Sequence, residues 1–224
     1  MSEAFPDMPM SGNKPLVRRP VPWVSYGYML VCIALFVLGL DVFTGLHDNW
    51  LVHFGLFAPY VEVGQWWRIF TCHFLHGNIL HVSFNMLVLY GLGRNLETNI
   101  GHWLFLWVSV LGALGTALFS MLFSPGALMV GASGVIISWA GVMVPLATRH
   151  ARKELLIWFA QIALLSLLPG ISLAGHAGGA LAGLVCGLAL LQFAKGRRGW
   201  LLLATILLTV LCAWVAQRPV PLPI

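Results

Sequence analysis

The chain has 224 residues, of which 59% are hydrophobic and 8% charged, and its net charge is +5; a soluble domain is about 45–50% apolar and about 25% charged. So much apolar surface cannot be enclosed in one globule of 24.5 kDa, which excludes a disordered chain and a disulfide-stapled secreted module and points to a polytopic membrane protein. The basic residues are scattered through short loops with no stripe or binding motif, so no nucleic-acid partner is expected.

Residues 1–22 are polar, Pro-rich and basic near their end, and read as a short cytosolic tail with no removed leader. Apolar runs follow at 23–43, 79–93, 103–123, 129–147, 155–171, 174–194 and 200–217, each near the length needed to cross ~30 Å of hydrocarbon. They predict an all-α fold: a six-helix core over 23–194, a basic cytosolic loop at 195–199, an additional transmembrane helix at 200–217 and a short tail at 218–224. With the N-terminus inside, ten of the twelve Lys and Arg residues fall on the cytosolic side, and only Arg68 and Arg218 fall outside. Stretch 44–78 then becomes a long outer loop rich in aromatics. Trp50, Trp66 and Trp67 suit headgroup depth, and Arg68 would reach phosphates from there. Cys32, Cys72, Cys186 and Cys212 share no metal-type spacing and read as small buried hydrophobes.

Polar groups inside spans are costly and usually face a protein interior or a water-filled cavity. Span two opens with HGNILHVSFN, bearing His76, His81 and Asn85; span four contains GASG, with Ser133; span six opens with GHAGGALAG, with His176. These three spans all run from outside to inside, and His81, Asn85, Ser133 and His176 fall in about their first two turns. They therefore share one depth, near the outer third of the bilayer. His81 and Asn85, four apart, lie on one helix face. Gly175, Gly179 and Gly183, every fourth residue, let a neighbouring helix approach closely, and Gly131 and Gly134 offer span four the same contact. Spans four and six in contact would bring Ser133 and His176 within hydrogen-bond reach.

That pair suits nucleophilic catalysis, in which a serine hydroxyl needs an adjacent base and a neutral histidine can serve. A tetrahedral oxyanion needs preorganised donors, and His81, Asn85 and the Ser133 amide at a helix start are suitable. No acidic residue lies near this depth in the three spans, so a hydrolase built here would use a Ser–His dyad without a carboxylate. Each feature has a plainer meaning by itself: a membrane serine bonds its own backbone, a small-residue face packs helices, and His73, His76 and His81 form a candidate metal cluster with no nearby carboxylate to orient it.

WWR at Trp66–Arg68, His76–His81–Asn85, GASG at Gly131–Gly134 and GHxxGxxxG from Gly175 to Gly183, in that order, resemble the rhomboid intramembrane serine proteases. GLGRNLETNIG, with Gly93, Glu97 and Gly101, is similar to the family's segment after its second core helix. The resemblance covers about residues 23–194. It implies Ser133 as nucleophile, His176 as general base and acid, and His81, Asn85 and the Ser133 amide as the oxyanion hole. Trp67 and Arg68 would hold the outer loop at the membrane surface, with Glu97 and His76 structural or supporting. It further implies single-span membrane proteins as substrates, cut near the outer end of the span and commonly after a small residue, with no metal or organic cofactor. The compact loops suggest a bacterial inner membrane. Two departures stand out: Ile137 replaces the aromatic often found four residues after the serine, and the span at 200–217 is additional, as in the six-plus-one arrangement of part of the family.

Two other classes compete. A transporter or channel would need polar residues through the full bilayer depth, whereas the inner halves of spans two, four and six are almost entirely apolar. A non-catalytic binder of membrane helices would need neither Ser133 nor His176. The chain also lacks the HExxH of zinc enzymes and the paired membrane aspartates of aspartyl enzymes.

Overall fold

The computed structural model describes residues 20–41, 45–46, 48–196 and 199–218, so the expected N-terminal tail, much of the basic loop and the end of the C-terminal tail lie outside the described residues. Helix α1 (Trp23–Leu38) leads into a minimal antiparallel pair, β1 (Leu40–Asp41) with β2 (Gly45–Leu46), in which Leu40 faces Leu46. Three short helices follow, α2 (Asp48–Phe54), α3 (Ala58–Glu62) and α4 (Arg68–Thr71), the last running into a single 3-10 turn, Cys72–Phe74. The remaining helices are α5 (Ile79–Ile100), α6 (His102–Phe123), α7 (Ser133–Leu146), α8 (Arg149–Leu165), α9 (Leu173–Ala194) and α10 (Gly199–Ala216).

By length and composition α6, α9 and α10 suffice to cross a bilayer, and α1 and α7 are shorter apolar helices. Large apolar side chains also cover the outside, among them Leu80, Phe84 and Leu87 on α5 and Leu202, Ile206 and Val210 on α10. An apolar exterior of this extent belongs in lipid. The protein is an all-α, integral, multi-pass membrane protein.

Helix α7 is its axis. Ten consecutive residues, Gly134 to Met143, are buried, as expected of a helix apolar on every face. Trp139 is fully buried against Phe105 and Tyr28, and its Nε1 donates to Ser109 Oγ at 2.9 Å. Helix α9 crosses α7 so closely that a Cβ at Gly179 would strike the carbonyl of Gly134, and one at Gly183 the carbonyl of Ser138. Helix α6 meets α9 in the same way, backbone to backbone, at Gly115 and Gly178. Without a hydrophobic force between helices in lipid, this close packing supplies the association. Helix α10 covers the outer flank of α6 and α9 and is tied there by Trp107 Nε1 donating to Thr205 Oγ1 at 2.8 Å.

The helix limits differ from the apolar runs for local reasons. The first run ends five residues early, where Gly39 closes α1 and β1 begins. Helix α5 runs on to Ile100, beyond the expected 93, because Glu97 is fully buried and bonded across to α1. Helix α7 starts at Ser133 and not 129, since Met129 pairs with Leu56 and Gly131 adopts a φ of +123° that no helix permits. The fifth run shows the largest displacement. Thr148 caps α8, its side chain accepting from the Ala151 amide, so the helix takes in the basic residues 149–153 and stops at Leu165, ahead of Pro169 and Gly170. All four cysteines are buried and free.

The first loop corrects one expectation. Arg68 does not reach toward lipid phosphates. It is only 3% exposed, and it donates through Nη1 to the carbonyls of Val52 (2.6 Å) and Gly55 (2.7 Å) and through Nε to Gln65 (2.7 Å), with Tyr60 stacked on its guanidinium. A cation here gathers otherwise orphaned loop carbonyls. The neighbouring Trp66 and Trp67 are exposed and free to face a membrane surface, with Trp67 Nε1 directed at the His53 carbonyl.

Candidate active site

The path of the chain into α7 presents Ser133. The Gly131 amide donates to the Cys72 carbonyl at 2.9 Å, its left-handed φ turns the backbone, and the helix begins two residues later. Ser133 is thus the first residue of α7, where amides have no intrahelical partner. His176 stands in the first turn of α9, whose start is set by Ser172 accepting from the Gly175 amide at 3.0 Å. Because α7 and α9 touch at Gly134, the residue after Ser133, and at Gly179, about one turn after His176, the two side chains meet. Ser133 Oγ and His176 Nε2 are 2.8 Å apart, both half-buried.

Helix α5 brings the donors. Asn78 caps it by accepting from the His81 amide at 2.8 Å. Asn85 Nδ2 spends one hydrogen on the His81 carbonyl at 2.9 Å, so the second amide hydrogen of this buried side chain is available. A Cβ placed on Gly131 would lie 2.7 Å from His81 Nε2 and 3.8 Å from Ser133 Oγ, so the His81 ring occupies the space beside Ser133 that only a glycine leaves open. His76 is fully buried behind it, its ring edge-on to His81 at 5.0 Å and its Nε2 facing the Ala132 amide at 3.4 Å.

The other residues singled out in the sequence lie elsewhere. Glu97 sits toward the far end of α5, where its carboxylate accepts from the Val24 and Ser25 amides (2.9 and 2.8 Å), from Ser25 Oγ (2.6 Å) and from His102 Nδ1 (2.6 Å). It thereby caps the first turn of α1 and binds α1, α5 and α6 together, which is a scaffold role. Trp67 and Arg68 belong to the first loop. His73 turns away from His76 and His81, with Nε2 on the Ala113 carbonyl at 3.2 Å. Among the described residues no group of three or more His, Cys, Asp or Glu is arranged to hold a metal ion.

Two residues that sequence reasoning passed over touch this machinery. Ser166, just past the end of α8, has its Oγ 2.6 Å from His176 Nδ1. Thr116 on α6 lies against Gly134, where a Cβ would strike it. Ser166 stands as one hydroxyl in the apolar run LLSLLPG, and only its depth, level with His176, sets it apart.

A Ser–His pair beside an amide, a free carboxamide N–H and an imidazole, at one end of a glycine-packed helix core, defines a class: polytopic membrane proteins with the equipment for acyl transfer. The family model described as Rhomboid domain matches residues 63–193, more than half of the chain. Rhomboid protease GluP of Bacillus subtilis (strain 168) is 28% identical over 200 residues, covering 85% of this chain and 39% of that protein. Rhomboid-like protease 3 of Toxoplasma gondii is 34% identical over 182 residues, covering 75% of this chain and 68% of that protein. RHOMBOID-like protein 5 of Arabidopsis thaliana is 30% identical over 217 residues, covering 77% and 70%. The chain belongs to the rhomboid family. It spans well under half the length of GluP, and 33% of a further relative, RHOMBOID-like protein 1 of Arabidopsis thaliana.

Proposed function

We propose that the chain is an intramembrane serine endopeptidase that cuts single-span membrane proteins near the outer end of their helix, with Ser133 as nucleophile and His176 as general base and acid. The observation that carries the reading is the 2.8 Å contact between Ser133 Oγ and His176 Nε2 beneath a cluster of donors. Two relatives whose names include protease support the class of reaction.

The chemistry runs through this chain's own groups. As Ser133 Oγ bonds to the scissile carbonyl carbon, its proton passes to His176 Nε2. The carbonyl oxygen becomes an oxyanion, met by the Ser133 amide, the second Nδ2 hydrogen of Asn85 and the His81 ring. His176 then protonates the leaving nitrogen as the C–N bond breaks, which frees one fragment and leaves an acyl-serine. Water attacks that ester with His176 again as base, and Ser133 is regenerated. No step requires a metal or organic cofactor. Gly131 and His76 hold the cradle, Glu97 holds α1 to α5, and Arg68 with Trp67 shapes the first loop against the membrane surface.

In this reading the N-terminus is cytosolic, the site opens to the outer face of a bacterial inner membrane, and six core helices are joined by α10 as a seventh. The test is cleavage of a single-span reporter in proteoliposomes, with small and helix-weakening residues near its outer end. Cleavage by wild type and none by Ser133→Ala is the expected result. If neither protein cleaves and a serine-reactive probe fails to label wild type at Ser133, the reading gives way to a non-catalytic binder of membrane helices.

A further inference from the structure

Between residues 149 and 171 only Leu155 and Ser166 are buried, and Ser166 is 4% exposed. A serine after an apolar helix ordinarily bonds a carbonyl one turn back, and Ser166 Oγ does so, donating to the Ile162 carbonyl at 2.7 Å. That bond leaves unexplained the second contact of the same oxygen, 2.6 Å from His176 Nδ1, made across a loop to another helix.

The protons can be assigned by counting. A hydroxyl has one hydrogen to give and lone pairs to receive, and a neutral imidazole has one N–H and one acceptor nitrogen. If Ser166 donates to Ile162, its oxygen receives Nδ1–H, Nε2 is left as the acceptor, and Ser133 donates to it. All three contacts are then hydrogen bonds with one direction: Ser133 to His176, His176 to Ser166, Ser166 to Ile162. If Ser166 donates to Nδ1 instead, the Ile162 contact is lost and Nε2 must carry the proton, which abolishes the base. The first arrangement makes one more bond, and a chain of donors aligned head to tail strengthens each member.

We propose that Ser166 is a positioning residue that holds His176 in the Nδ1–H tautomer, the form able to accept the Ser133 proton, in a site where no carboxylate does so. The proposal rests on the serine-protease reading for its consequence but not for its geometry. It also makes the position of α8 a condition for activity, since Ser166 joins that helix to the base.

The decisive measurement is nitrogen NMR of the full chain in micelles with 15N-labelled histidine, the His176 signals being assigned by their absence in His176→Ala. Protonated Nδ1 and bare Nε2 in wild type are expected, with a mixture of tautomers in Ser166→Ala. Protonated Nε2 in wild type overturns the proposal whether or not the protein cleaves anything and whether or not the variant folds. In the reporter assay Ser166→Ala lowers kcat about tenfold, the worth of one neutral hydrogen bond, with KM unchanged and with recovery in Ser166→Thr, which keeps the hydroxyl. Wild-type kcat in Ser166→Ala, or no recovery in a folded Ser166→Thr, overturns it; loss of cleavage by wild type itself strikes the protease reading instead, because the tautomer result stands apart from turnover.

Discussion

On one flank of His176, α9 lies against α7 with glycine backbones in contact; on the other, α8 reaches the same ring through a single hydroxyl. The first contact leaves no room for adjustment, because a displacement by even one carbon at Gly179 or Gly183 collides with a carbonyl of α7. The second comes from a helix that buries only Leu155 along its own length. The glycine contact therefore sets the Ser133–His176 distance, and the α8 contact adjusts the ring that the glycines have already placed. Under the proposed function the site admits a chain from the bilayer, and it then needs both kinds of wall: one that cannot yield, because an ångström of error is costly in catalysis, and one whose movement exposes little buried surface.

The sharpest test of the rigid flank is the pair itself. Ser133→Ala and His176→Ala each lower cleavage by roughly 10⁴–10⁶-fold, as expected of groups acting as a unit, and leave the melting midpoint in detergent where it was. A fallen midpoint would make the pair a packing element. Asn85→Ala comes next, lowering kcat about 100- to 1000-fold with little change in KM, since one oxyanion donor is removed; a purely KM effect would remove Asn85 from the oxyanion hole. Gly183→Leu then breaks the helix contact that sets the Ser133–His176 distance without replacing a side chain of the pair, and overpacking costs about 1–3 kcal/mol or more, read as a lower melting midpoint and lost turnover. Trp107→Phe removes the bond to Thr205, worth about 0.6 kcal/mol in a membrane interior, and should leave kcat unchanged because α10 holds no site residue. Smallest of all, Leu156→Ala on the exposed face of α8 should stay within about 0.5 kcal/mol. A shift equal to that of Gly183→Leu would erase the distinction between the two flanks.

The parts legible in the sequence were those encoded by depth and spacing. His81, Asn85, Ser133 and His176 share a level because helices of the same direction carry them in the same turns, and the glycine spacing of α9 names the face that must meet α7. Other features had no such period. Arg68 reads as an interfacial cation until the loop folds back and surrounds it with carbonyls. The start of α7 was hidden because Gly131 belongs to an apolar run, while its conformation depends on a bond to Cys72. The shift of α8 arose because a cap at Thr148 outweighs the hydropathy of the residues that follow it.

By itself, then, the sequence determined a multi-pass helical protein, the approach of Ser133 to His176 and the helix faces that pack closely, because hydropathy and small-residue spacing are local properties of a chain in lipid. Only the tertiary structure decided that Ser166 meets His176 Nδ1, that Arg68 turns inward and that Glu97 caps α1. Each of these joins partners from separate elements, and a hydrogen bond depends on where two backbones deliver the atoms, which no single segment specifies.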